Sequence, residues 1–115
     1  MAPGRVRTTD AEIDAALERA QNQPELPRAL SAEYNSALDV IVLRIDSGRR
    51  LVIPREEMQG LENATPSQLA EIEIHGGLDI AWPQLDVDHY LPYLLEGQYA
   101  TERWKQERKR HKVAA

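Results

Sequence analysis

His89 follows Asp88 directly and Asp86 by three residues, and His75 adjoins the Gly76-Gly77 pair. Imidazole and carboxylate donors of the kind that hold zinc or manganese are therefore close together in the chain. No His-x-x-x-His or His-Glu-x-x-His spacing occurs, however, and Asp88 also reads as a helix N-cap. No metal or other cofactor is expected. Two carboxylate pairs, Glu71 with Glu73 and Asp86 with Asp88, have the composition of a general acid–base site. On a strand, Glu71 and Glu73 would project to one side while Ile72 and Ile74 take the other, which is the pattern of a solvated acidic face. The chain has no cysteine and no Gly-x-Ser-x-Gly. Ser31, Ser36, Ser47 and Ser67 have no neighbouring histidine, and apart from Gly76-Gly77 the glycines are isolated and form no phosphate loop. The expectation is a protein that is not an enzyme.

Charge points instead to binding. From residue 101 onward, Arg103, Lys105, Arg108, Lys109, Arg110 and Lys112 face only Glu102 and Glu107, a net of +4. Residues 1–100 carry eight basic groups against seventeen acids, a net of −9. The acidic body and basic tail favour different partners. Trp104 lies among the tail cations, four residues before Arg108, the spacing of a helical cation–π pair. Phosphate contacts plus one stacking aromatic would bind nucleic acid without sequence preference. The alternative is a solvated helical extension whose Trp104 docks on the body. In the body, Glu71, Glu73, Asp79, Asp86 and Asp88 lie in one continuous stretch. They are the candidate rim of a surface for a basic protein partner.

The elements that must position these residues are those of a small α+β domain. Thr9 with Glu12 forms a capping box for an N-terminal amphipathic helix carrying Ile13, Ala16, Leu17 and Ala20, which ends before Pro24. Ala29–Asn35 reads as extended. Leu38–Ile45 is the strongest strand signal, apolar on both faces in its centre, which predicts a central strand covered on two sides. Asp46-Ser47-Gly48 is a hairpin turn leading into Arg49–Ile53. Pro54 is placed at the start of a short helix with Met58 and Leu61 inward, and Thr65 through Gln68 repeats the capping pattern. Glu71–Trp82 reads as a second hairpin around Gly76-Gly77. Trp82 shares a face with Ile80 and is expected to close the core rather than to anchor a partner. Asp88 is expected to cap a last helix bearing Leu91, Leu94 and Leu95, with Pro92 in its first turn and Gly97 after its end.

One hundred and fifteen residues, 42% of them hydrophobic, suffice for one domain with a modest core. Phenylalanine is absent, so Leu, Ile and Val must fill that core. The longest uninterrupted apolar run is Val40 to Leu43, far short of a membrane span. Met-Ala-Pro-Gly-Arg-Val-Arg at the start lacks the apolar segment of a secretory signal. A cytoplasmic location is expected, with no membrane partner; the sequence is compatible with homo-oligomers.

The segments Gly76 to Pro83, Leu85 to Asp88 and Leu94 to Gly97 resemble the bacterial family called domain of unknown function 2442 (DUF2442). Its members join a hairpin with a charged turn to a second hairpin ending in Trp-Pro, here Trp82-Pro83, and an acidic Asp-x-Asp step, here Asp86 and Asp88. Upstream, Leu38–Ile45, Asp46-Ser47-Gly48, Leu51–Ile53 and Pro54 follow in the family's order. The resemblance covers roughly residues 28–97 and implies a compact α+β fold with no assigned reaction. Some relatives continue into a helix-turn-helix, and some adjoin small toxin-like genes. This tail is too short for a helix-turn-helix, and the N-terminal helix lies outside the family core. The chain thus divides into an N-terminal helix and linker (1–27), the family-like domain of two antiparallel hairpins with short helices (28–100), and a basic helical tail (101–115). The expected function is a non-enzymatic protein-interaction module, antitoxin-like or regulatory, that binds a basic protein. The alternative is a small accessory nucleic-acid-binding protein acting through its tail.

Overall fold

A computed structural model describes residues 5–6 and 10–114, with side chains for residues 10–110. In chain order the elements are β1 (Arg5–Val6), α1 (Asp10–Gln21), β2 (Ala29–Asn35), β3 (Val40–Ile45) and β4 (Arg50–Pro54). A 3-10 turn (Arg55–Glu57) follows, then α2 (Pro66–Ala70), β5 (Glu73–His75), β6 (Asp79–Trp82), β7 (Val87–Tyr90), α3 (Leu91–Leu95) and α4 (Glu102–Ala114). The strands form two antiparallel sheets, β2-β3-β4 and β1-β7-β6-β5. They meet at a corner where the Ala29 N–H donates to the Gly77 carbonyl at 2.7 Å. The fold is α+β, as expected from the sequence.

Local chemistry accounts for several of these elements. Gly48 supplies the positive φ, +93°, that turns β3 into β4. Thr65 and Gln68 form the reciprocal capping box that starts α2. Gly97, at φ +79°, follows the end of α3, and Pro92 lies in that helix's first turn. Pro54 ends β4 and precedes the 3-10 turn rather than opening a helix. The Thr9 cap expected for α1 lies outside the described residues.

β3 is central in its sheet, yet only one of its faces is covered. Ile41, Leu43 and Ile45 are buried with Leu51 and Ile53 of β4. On the other face Val42 is half-buried and its neighbour Val52 is 53% exposed. The expected second cover is missing because α1 packs elsewhere, against the β5–β6 turn. Ala16 and Ala20 are buried there, and Gly76 permits the approach: a Cβ at Gly76 would lie 2.4 Å from that of Ala20. Arg28 fastens the contact, donating to the carbonyls of Ala20, Gln23 and Gly76. Helix and family-like domain thus share one core, which also takes Met58, Leu61, Leu69, Leu78, Ile80, Trp82, Leu91 and Leu94.

Contrary to the expectation from its position, Asp88 does not cap a helix. It sits in β7, paired with Ala81 of β6, and α3 begins only at Leu91 with no side-chain cap. Residues 83–86 make the turn of a third hairpin, in which Asp86 takes a left-handed φ of +55° that aspartate tolerates.

Candidate functional site

The five acids of the expected rim are separated by the fold. Glu71 and Glu73 are exposed, and Glu73 accepts from His75 Nε2 at 3.0 Å. Asp86 is half-buried in its turn. Asp79 and Asp88 are 0% and 2% exposed and therefore do not belong to the rim. Asp79 is drawn inward by Arg19 of α1, whose Nη2 lies 3.1 and 3.0 Å from its two carboxylate oxygens. Asp88 is buried on β7, an inner strand between β1 and β6.

The histidines and acids do not assemble for metal chemistry: among the described residues no three His, Asp or Glu side chains converge. His89 is buried, and its Nε2 donates to the Gln59 carbonyl at 2.9 Å. Its ring meets Trp82 edge-on at 6.0 Å. Burial pushes the His89 pKa down, against smaller opposing effects of the Gln59 carbonyl and Asp88. The folded protein thus resists protonation at His89 while the unfolded chain accepts a proton below about 6.5. Stability is fully present above that pH and declines as pH falls below it, by up to about 1.4 kcal/mol per pH unit. Urea melts between pH 7.5 and 5.5 check this; identical midpoints would show that His89 is not held neutral.

Asp39, Tyr34 and Arg55 form a second polar cluster. Tyr34 Oη donates to Asp39 at 2.8 Å, and Arg55 donates to both carboxylate oxygens at 3.1 and 2.7 Å. The Arg55 hydrogen bonds, with that of Tyr34, hold the Asp39 carboxyl below the usual range. This cluster ties the β2–β3 loop to the 3-10 turn, with both carboxylate oxygens of Asp39 engaged.

The remaining candidate is α4. Thr101 Oγ1 accepts from the Trp104 N–H at 3.2 Å and caps the helix. Gln59 holds this root, accepting from the Thr101 N–H at 2.9 Å while its own N–H donates to the Tyr99 carbonyl at 3.0 Å. Trp104, Lys105, Arg108 and Lys109 follow at i, i+1, i+4 and i+5, one face of the helix. Arg108 lies 4.9 Å from the Trp104 ring centre, the cation–π pair expected from the spacing. It also donates to the Glu56 carbonyl and stands 4.0 Å from the Glu56 carboxylate. This face and the body enclose an open groove of about 220 Å³, with Glu57 and Tyr99 on the body side and Gly97 leaving one wall as backbone.

The tail residues divide between docking and exposure. Trp104 is half-buried, so the root of α4 docks on the body. Lys109 and Arg110 are exposed and, among the described residues, form no ion pair. Arg103 pairs along the helix with Glu107 at 3.4 Å, and Lys105 with Glu102 at 3.3 Å. Lys112 lies on α4, with its side chain outside the described residues. Sequence reasoning missed Glu57 and Tyr99, since nothing local ties them to the tail. The Thr101 cap is a local signal in the sequence that fixes where α4 begins.

Comparisons place this arrangement among proteins without an assigned activity. No curated protein matches the chain. A protein of unknown function from Rhodospirillum rubrum ATCC 11170 has a similar structure, at 33% identity and a TM-score of 0.66, over 70% of this chain and 98% of that one. An uncharacterized protein from Chromobacterium violaceum is similar at 34% identity and a TM-score of 0.67, over 89% of this chain and 95% of that one. The family model described as protein of unknown function (DUF2442) matches residues 29–100, from β2 to the residue before the α4 cap. The chain belongs to the DUF2442 family.

Proposed function

We propose that the chain is a non-enzymatic interaction module that binds a nucleic-acid backbone through α4. The observation that carries this reading is the single face on which Trp104, Lys105, Arg108 and Lys109 stand, beside the exposed Arg110. A body of −9 repels polyanions, so contact is confined to the +4 segment. Binding of this kind is weak, free of sequence preference and sensitive to salt. Such a protein would act in the cytoplasm as a regulatory or antitoxin-like component.

Four phosphate contacts, by Lys105, Arg108, Lys109 and Arg110, would lower affinity roughly 50- to 150-fold between 50 and 200 mM salt. A filter-binding titration with the full chain measures the slope, and Lys109→Glu with Arg110→Glu should abolish most of the binding. Salt-indifferent association would refute the backbone reading. The second reading, a basic protein partner, is favoured by the exposed carboxylates of Glu71, which ends α2 rather than lying on a strand, and Glu73, at the start of β5. In that case Glu71→Lys with Glu73→Lys would weaken association with the partner, and the α4 reversals would not.

A further inference from the structure

We infer that the groove at the root of α4 takes one unstacked nucleobase, making the protein a binder of single-stranded nucleic acid. This inference rests on the backbone reading above and adds an occupant for the groove.

The lining is mixed in a way that phosphate alone does not explain. Trp104 and Tyr99, both half-buried, give it aromatic surface, and neither is needed to hold a phosphate. At about 220 Å³ the groove falls below the ~300 Å³ lower range of sites for drug-sized ligands, a size suited to one ring system. Lys105, Arg108 and Lys109 also line it and supply the charge that the phosphates flanking a splayed base would meet. Glu57 is also among the lining residues. A carboxylate repels phosphate in such a place, whereas the N–H groups of a base can donate to it. Arg108 is held by the Glu56 carbonyl and the Trp104 ring, and only its 4.0 Å approach to the Glu56 carboxylate, near the surface, is loose enough to be exchanged for a phosphate at little cost.

A duplex keeps its bases stacked inside, so only a single strand can present one to this groove. An acidic peptide with an aromatic side chain is the competing occupant. It is disfavoured because it would bring further carboxylates toward Glu57.

The test uses the full chain and three probes of matched length and charge: a single-stranded oligoadenylate, an abasic oligomer and a glutamate-rich peptide containing tyrosine. Base stacking predicts that the oligoadenylate binds about five- to a hundred-fold more tightly than the abasic oligomer. It should also quench tryptophan fluorescence, and Trp104→Leu should remove both the quenching and the preference for the oligoadenylate over the abasic oligomer. Equal affinity for the oligoadenylate and the abasic oligomer would overturn the base-binding inference and leave the backbone reading standing. Binding of neither would overturn both. Tighter binding of the peptide would replace the nucleobase with an acidic protein segment. The oligomer comparison on the unaltered protein decides the matter even if Trp104→Leu fails to fold.

Discussion

Trp82→Ala should lower stability by about 3–5 kcal/mol, a large share of what a domain of this size possesses. The indole is fully buried between the two sheets' shared core and His89, at the end of β6. Truncation would leave a cavity walled by neighbours fixed in hydrogen-bonded strands, which limits collapse. Trp82→Phe should cost less, because the indole N–H has no partner among the described residues and its loss leaves nothing unpaired. Urea denaturation of the two variants measures the difference. A cost of about half a kcal/mol for Trp82→Ala would indicate a surface contact residue instead.

Arg19→Ala should be the next most damaging change, at about 3 kcal/mol. It removes a guanidinium that donates to both oxygens of a carboxylate that is wholly buried. Arg19 is 28% exposed, which keeps the expectation at the lower end for a broken buried pair. It also covers the Tyr90 ring, at 5.6 Å from the centroid, so packing is lost along with charge. A double-mutant cycle with Asp79→Asn isolates the pair. The double variant should be markedly more stable than the two single losses added together. Strict additivity would show that Arg19 acts through packing alone. Because Arg19 lies in α1, outside the family match, the experiment also reports how firmly that helix belongs to the domain.

The features legible in the sequence are those whose causes are local. Gly48 and Gly76-Gly77 turn their hairpins because glycine alone adopts the required φ without strain, and Thr65 with Gln68 caps α2 with groups three residues apart. Trp82 could be assigned to the core because Ile80, two residues away, shares its face. The Trp104–Arg108 pair followed from helical spacing. β7 escaped for the opposite reason: Asp88 and His89 are polar, and a polar residue ahead of Leu91 reads as a cap.

The sequence by itself therefore determined the α+β class, most of the strands and turns, the family, and the division into acidic body and basic tail. Only the tertiary structure decided which charges reach the surface. Arg19, sixty residues away in the chain, pairs with Asp79 in the interior, and Asp88 is buried on an inner strand of its sheet. Glu57 and Tyr99 become part of a groove only when Gln59 fixes the root of α4 beside them. Hydrogen-bonding partners within a few residues are written in the chain's spacing. The burial of a charge depends on partners that folding alone brings close, because a carboxylate leaves water only where a distant group compensates for the lost solvation.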